Sequence, residues 1–180
     1  YLGVHRYAAT LGIEGDVGWL CPRFRRFIKL AQFWNRMIKM DDTRLTKRIF
    51  NIDYDVCNNN WSSDIKAMFG LIEQTNVFEM KTYCDIDIVR LKLSQQMETV
   101  WRNSVTQKPK LRTYVKYKYN VKPEPYVMKY MPRQNRSILA QFRLGILPLR
   151  IETGRYDNTL LDDRLCIFCN LKLVEDEFHF

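Results

Sequence analysis

The residues with the clearest chemical potential stand near the end of the chain. Cys166-Ile167-Phe168-Cys169 places two thiols across one tight turn, and nine residues separate that pair from His179. Two thiolates in this arrangement can reach a single zinc ion at about 2.3 Å, and an imidazole is the ordinary third ligand. Glu175-Asp176-Glu177 reads as the acid-rich first turn of a helix, where carboxylates favour the positive end of the dipole and His179 would project back toward the cysteine turn. The expected metal ligands are therefore Cys166, Cys169 and His179, with no fourth before the chain closes at Phe180. By spacing alone a C-x-x-C pair also fits a redox motif or a chance pair. The redox reading wants a strand-to-helix context, whereas here Asp162-Asp163-Arg164-Leu165 leads in and a polar turn, Asn170-Leu171-Lys172, follows. No general base accompanies the cluster, so structural use of a metal is favoured over catalytic use.

A second constellation is electrostatic. The net charge of +9 is segregated: residues 23–48 hold nine Lys/Arg against two acids, and residues 101–155 hold thirteen against two. Blocks of this kind attract polyanions, of which nucleic acid is the commonest. The candidate contacts are Arg25, Arg26, Lys29 and Arg36 in the first block, and Arg112, Tyr114, Lys116, Lys118, Arg136 and Arg143 in the second. Tyr114, Tyr117 and Tyr119 interleave with the second set, and aromatic faces stack on unpaired bases while cations hold phosphates. A charged helix face that simply meets water is the competing reading.

Catalytic patterns are otherwise missing from the sequence: it holds no phosphate-cradling glycine loop, no HExxH and no G-x-S-x-G elbow. Asp41-Asp42 and Asp85-x-Asp87 occupy cap-like positions, and His5 beside Arg6 reads as a surface or core-edge residue. No small-molecule substrate is evident. Five cysteines, three of them scattered at Cys21, Cys57 and Cys84, argue against a disulfide framework and for reduced, core-filling thiols.

The elements that must position these groups are mostly helical. Phe24, Phe27, Ile28, Ala31, Trp34, Met37 and Ile38 recur at three- and four-residue steps, which predicts an amphipathic helix over 23–40 with the basic residues opposite. Asp41-Asp42-Thr43 supplies cap chemistry for a second helix over 43–52 with Leu45 and Ile49 on one face, and Ser62 or Ser63 caps a third running to Gln74. A fourth is expected over 86–102. After Lys108-Pro109, alternation of Leu111, Thr113, Val115, Tyr117 and Tyr119 with polar residues predicts a short strand or extended arm. A further helix follows Pro132 and carries Ile138, Leu139 and Phe142, with Gly145 as its left-handed stop. Glycines at 3, 12, 15 and 18 make residues 1–22 a loop-rich lead-in, although Tyr1, Leu2, Val4 and Tyr7 could edge a core. The acidic tail, 156–180, reads as a separate small unit beside a basic helical body, 23–155. The expected class is a mainly α body with a short β element and a truncated, knuckle-like end. A composition of 46% apolar and 13% aromatic residues can fill such a core. No run of about 18 apolar residues or signal-like segment occurs, so the expectation is an intracellular protein, cytoplasmic or nuclear, that does not span a membrane. Opening on Tyr1 and closing just past His179, the chain reads as a piece of something longer.

Several stretches together carry a resemblance: Tyr1-Leu-Gly-Val-His-Arg-Tyr7, Gln32-Phe-Trp-Asn-Arg36, Met40-Asp-Asp-Thr-Arg-Leu-Thr-Lys47, Asn60-Trp-Ser62, Pro109-Lys-Leu-Arg-Thr113, Leu139-Ala-Gln-Phe-Arg143 with Leu147-Pro148, Ile151-Glu-Thr-Gly-Arg155, and Cys166 to His179. Over nearly its whole length the sequence resembles the region downstream of the polymerase core in reverse transcriptases of invertebrate non-LTR (LINE-type) retrotransposons. The resemblance implies polymerase ancestry without polymerase activity in this segment, since the catalytic aspartate motif is missing. It implies that Cys166, Cys169 and His179 match the first three ligands of a C-C-H-C zinc knuckle that assists template handling. The expected function is binding of RNA or single-stranded DNA; the alternative is a non-catalytic helical scaffold or interaction module, an unselected genomic remnant included.

Overall fold

A computed structural model describes residues 2–19 and 21–179. The described residues form α1 (Thr10–Val17), α2 (Pro22–Lys39), α3 (Leu45–Val56), α4 (Trp61–Leu71), α5 (Thr75–Glu79), α6 (Ile86–Thr106), α7 (Pro125–Met128), α8 (Arg133–Arg143) and α9 (Arg150–Thr153), with three short 3-10 turns. The mainly helical expectation holds. The expected places of Tyr1 and Phe180 lie outside the described residues. Among the described residues no helix is long and apolar enough to cross a membrane. The chain divides into two compact units, Leu20–Val100 and Tyr1–Trp19 with Trp101–Phe180. The boundary falls inside α6, so neither the lead-in at 1–22 nor the tail at 156–180 stands apart as the composition suggests.

The central unit, Leu20–Val100, is built on the predicted stripe of α2. Phe24, Phe27, Ala31, Trp34 and Met37 are buried, joined by Phe50, Ile65, Met68, Phe69, Phe78, Val89 and Leu93. Trp34 sits at the centre, fully buried, with the rings of Phe50, Phe69 and Phe78 within 6 Å of its own. Its indole N–H donates to the Thr82 carbonyl at 2.9 Å, which satisfies the one polar atom such burial would strand. Asn35 clamps the next turn of chain, donating to the Cys84 carbonyl at 2.7 Å and accepting from its N–H at 2.9 Å.

The caps differ from expectation in detail. Asp41 turns the chain by accepting from Thr43 N–H at 2.8 Å, but α3 begins only at Leu45 and has no side-chain cap. Asn60, not Ser62 or Ser63, is the N-cap of α4; it forms a reciprocal capping box with Ser63, while Ser62 donates to Asp53. Asp85 caps α6 as its spacing suggested, accepting from the N–H groups of Asp87 and Ile88. On α3 the predicted stripe is real but faces outward: Leu45 and Ile49 are exposed, and Lys47 and Phe50 are buried in their stead.

The split unit, Tyr1–Trp19 with Trp101–Phe180, corrects two further expectations. The glycine-rich lead-in contains α1, because Gly12 and Gly15 serve close packing. A Cβ on Gly12 would stand 2.3 Å from Leu144 Cδ2, and one on Gly15 would stand 2.4 Å from Tyr114 Oη. The predicted strand over 111–119 is instead two 3-10 turns, Pro109–Leu111 and Tyr114–Lys116. Leu111, Thr113, Tyr114 and Lys118 are the buried positions there, a spacing no strand could turn inward together. The β feature found among the described residues is a single antiparallel bridge, Leu165 to Val174. Trp101, Val105, Leu111, Tyr114 and Leu144 form one core of this unit, and Leu2, Tyr126, Val127 and Ala140 a second. Gly145 follows α8 at φ +62, the left-handed stop its position called for.

Candidate metal centre and basic faces

The tail builds its site around that bridge. Cys166 N–H donates to the Leu173 carbonyl at 2.9 Å and Glu175 N–H to the Arg164 carbonyl at 3.0 Å, which folds residues 164–175 back on themselves. Cys166 and Cys169 sit in the turn so formed, and Phe168 N–H points at Cys166 Sγ from 3.4 Å. His179 arrives not from a helix, as the acidic run suggested, but from a turn. Asp176 Oδ1 accepts from the N–H groups of Phe178 at 2.9 Å and His179 at 3.0 Å, and that closure aims the imidazole inward. His179 Nε2 lies 3.0 Å from Cys169 Sγ, and the three ligand atoms all lie within 4.8 Å of one another. They are close enough to hold one metal ion, and all three side chains are half-buried.

The acids flanking His179 brace the turn. Glu175 is buried, accepting from Arg150 N–H at 3.0 Å, and its carbonyl takes Ile151 N–H at 3.0 Å. Glu177 is buried too, with Arg112 on one carboxylate oxygen at 2.7 Å and the Thr113 hydroxyl on the other at 2.8 Å. The ligand-bearing turn is thereby tied to both 109–113 and α9. Sequence reasoning missed this pair because buried carboxylates are recognised by their partners, and Arg112 lies 65 residues away.

The ten proposed nucleic-acid contacts separate into two groups. Arg25, Arg26, Lys29 and Arg36 are exposed on α2, and none forms an ion pair among the described residues. Arg25, Lys29 and Arg36, with Lys39, follow one another at helical steps along the face opposite the buried stripe. The second block is largely spent internally. Tyr114 is fully buried and cannot stack on a base. Its hydroxyl is held well above the ordinary tyrosine range by burial and by neighbouring Asp16. Arg143 makes two hydrogen bonds to buried Asp16, at 2.9 and 2.8 Å. Burial alone would lower its pKa, but Asp16 hydrogen bonds and charge raise it. Lys118 is buried on Glu124, and Arg112 is engaged by Glu177. These four are corrected to structural roles. Lys116 is exposed with its ammonium over the Phe178 ring, and half-buried Arg136 donates to the Met131 carbonyl. Of the scattered cysteines, Cys84 is buried as expected, Cys57 is half-buried and Cys21 is exposed. Comparison with family models, with curated proteins and with solved structures finds no match.

Proposed function

We propose that this chain binds single-stranded nucleic acid through the basic face of α2 and carries a small structural zinc site in its tail. The observation that carries the reading is the set of exposed cations on α2 without acidic partners. Arg25 and Lys39 stand fourteen residues apart, about 21 Å of helix at 1.5 Å per residue, enough to follow several consecutive phosphates. Cations neutralised by their own fold release no counterions when a polyanion arrives; these four do. The resemblance to the region downstream of the polymerase core in non-LTR reverse transcriptases supports the same reading and makes a template or its copy the natural ligand.

For the tail, the donor set fits zinc, because two thiolates and one imidazole are three of the four ligands of a tetrahedral structural site. Cys166, Cys169 and His179 would hold the ion, and its contribution is to cross-link the turn to the residues that Glu175 and Glu177 engage. Three ligands leave one position for a further donor.

The test is an anisotropy titration with a labelled twenty-nucleotide RNA and its DNA counterpart over a salt series. Binding is expected to weaken with a log–log slope of roughly −0.7 per phosphate contacted, so about −3 for four contacts. Reversing Arg25, Lys29 and Arg36 to Glu touches no buried group and should abolish the complex at moderate salt. No complex even at low salt overturns the reading.

A further inference from the structure

Helix α3 has two apolar faces. One packs inward through Lys47, Phe50 and Tyr54, with the Lys47 ammonium donating to the Met37 carbonyl at 2.7 Å at the end of α2. The other carries Leu45, Ile49, Ile52 and Val56 at steps of four, three and four residues, and they remain 72%, 56%, 65% and 64% exposed. Those steps place all four on one narrow stripe, the spacing of a helix–helix seam.

The borders of the stripe are charged in a particular order. Arg48 and Asp55 are seven residues apart and therefore lie along the same edge, one in each half of the helix. Arg48 is exposed and has no ion pair among the described residues. Asp55 reaches only as far as Lys81 at 3.9 Å, with 74% of its side chain exposed. A stripe basic at one end and acidic at the other along one edge is complementary to itself when turned end over end.

We propose that this face of α3 is occupied by the same face of a second copy of the chain, the two helices antiparallel about a twofold axis between Ile49 and Ile52. In that register Leu45 meets the partner's Val56, Ile49 meets the partner's Ile52, and Arg48 reaches the partner's Asp55, each contact occurring twice. A parallel pair would set Arg48 against Asp53. That carboxylate already accepts from the N–H of Ser62 at 3.0 Å and from its hydroxyl at 2.6 Å, so it is not available on equal terms. A polyanion finds no donor on the stripe and is repelled by Asp55. Two three-turn helices bury less than the roughly 800 Å² per partner of a standard interface, so the dimer belongs at the weak, micromolar end.

Sedimentation of the nucleic-acid-free full chain tests this directly. Between about 1 and 200 μM the weight-average mass should climb from 21.7 kDa toward twice that value. The double substitution Ile49→Asp with Ile52→Asp removes no buried side chain and should hold the chain monomeric throughout, with unchanged circular dichroism. Arg48→Glu and Asp55→Arg should each weaken self-association at least tenfold. Mixing the two single variants, or combining both changes in one chain, should restore it, because opposite charges then meet again at both ends. A chain that stays at 21.7 kDa up to 200 μM overturns the proposal. So does a dimer that survives the Asp pair, or one that the charge exchange fails to rescue. A cross-link from an Ile52→Cys variant to another segment of its own chain would likewise overturn it, by identifying a different occupant. None of these outcomes bears on nucleic-acid binding, which rests on α2.

Discussion

Arg143 illustrates how a residue's sequence context can point away from its role. It belongs to a stretch, 101–155, whose net positive charge invites a phosphate, yet its guanidinium closes a buried cluster in which Asp16 also accepts from the hydroxyls of Tyr114 at 3.0 Å and Tyr126 at 2.7 Å. Asp16 lies 127 residues away in an unremarkable position, which is why the pairing is invisible in the chain. Arg143→Ala would leave that carboxylate buried without its cation, at a cost of about 3–5 kcal/mol in denaturant unfolding. Nucleic-acid affinity of the folded fraction should stay within twofold; affinity lost without stability would reinstate Arg143 as a contact. Cys84 makes a second residue-scale case. Burial pushes its thiol from an ordinary value of 9.0 up to about 11. The unfolded chain releases this proton near pH 9 while the folded chain retains it, so the folded state binds more protons across that window. Stability should therefore be complete below pH 9 and fall as pH rises toward 11, by up to about 1.4 kcal/mol per unit. Urea midpoints from pH 8 to 11 would follow the fall, and Cys84→Ala, less stable at neutral pH, should show a flatter slope above pH 9. An equal slope in both proteins would assign the alkaline loss to the buried tyrosines alone.

Elements were legible in the sequence where one period dominated. The stripes of α2 and α4 and the cap of α6 could be read off because those apolar residues face one neighbour and that cap is local. Helix α8 could be placed, but its expected stripe is not its buried side, since Ile138 is exposed and Ala140 is the residue buried. Helix α3 could be placed but not oriented, since an aliphatic stripe and an aromatic one alternate around it and only the partner decides which turns inward. Helix α1 was hidden because glycine signals both a loop and a close approach. That ambiguity has an experimental form. Gly15 in α1 and Gly70 in α4 are both helical, and alanine should favour either helix by roughly 0.5–1 kcal/mol on propensity alone. A Cβ at Gly15 would stand 2.4 Å from Tyr114 Oη and 2.5 Å from Trp101 Cζ2, both buried, whereas at Gly70 it meets nothing within 4 Å. Gly15→Ala is expected to destabilise by about 1–3 kcal/mol through overpacking, and Gly70→Ala to stabilise by about 0.5–1 kcal/mol. Thermal melts of the two variants should move in opposite directions; a shared direction would mean that propensity outweighs packing at Gly15.

At the scale of the whole molecule the division into units escaped the sequence because no linker marks it. Composition changes at Asp157, whereas the structural boundary falls between Val100 and Trp101, inside the last third of α6, a helix whose periodicity is unbroken there. The acidic tail belongs to its unit through Glu175 and Glu177, which meet α9 and the turn at 109–113. Energy released by a metal on Cys166, Cys169 and His179 should accordingly be felt across that unit. A ligand present at a hundredfold excess over its dissociation constant stabilises the state that binds it by about 2.7 kcal/mol. With zinc added, backbone amides of residues 109–116, 150–155 and 164–179 should exchange more slowly, while those of 24–97 keep their rates. Cys169→Ser should erase the difference without changing exchange in the central unit. Because the boundary lies within one continuous helix, α6 is the sharpest place to look: its amides after Trp101 should respond with the tail, and those before Val100 should not. Uniform slowing along all of α6 and through α2 would show that the two units unfold together, and that the metal stabilises the chain as a single cooperative body.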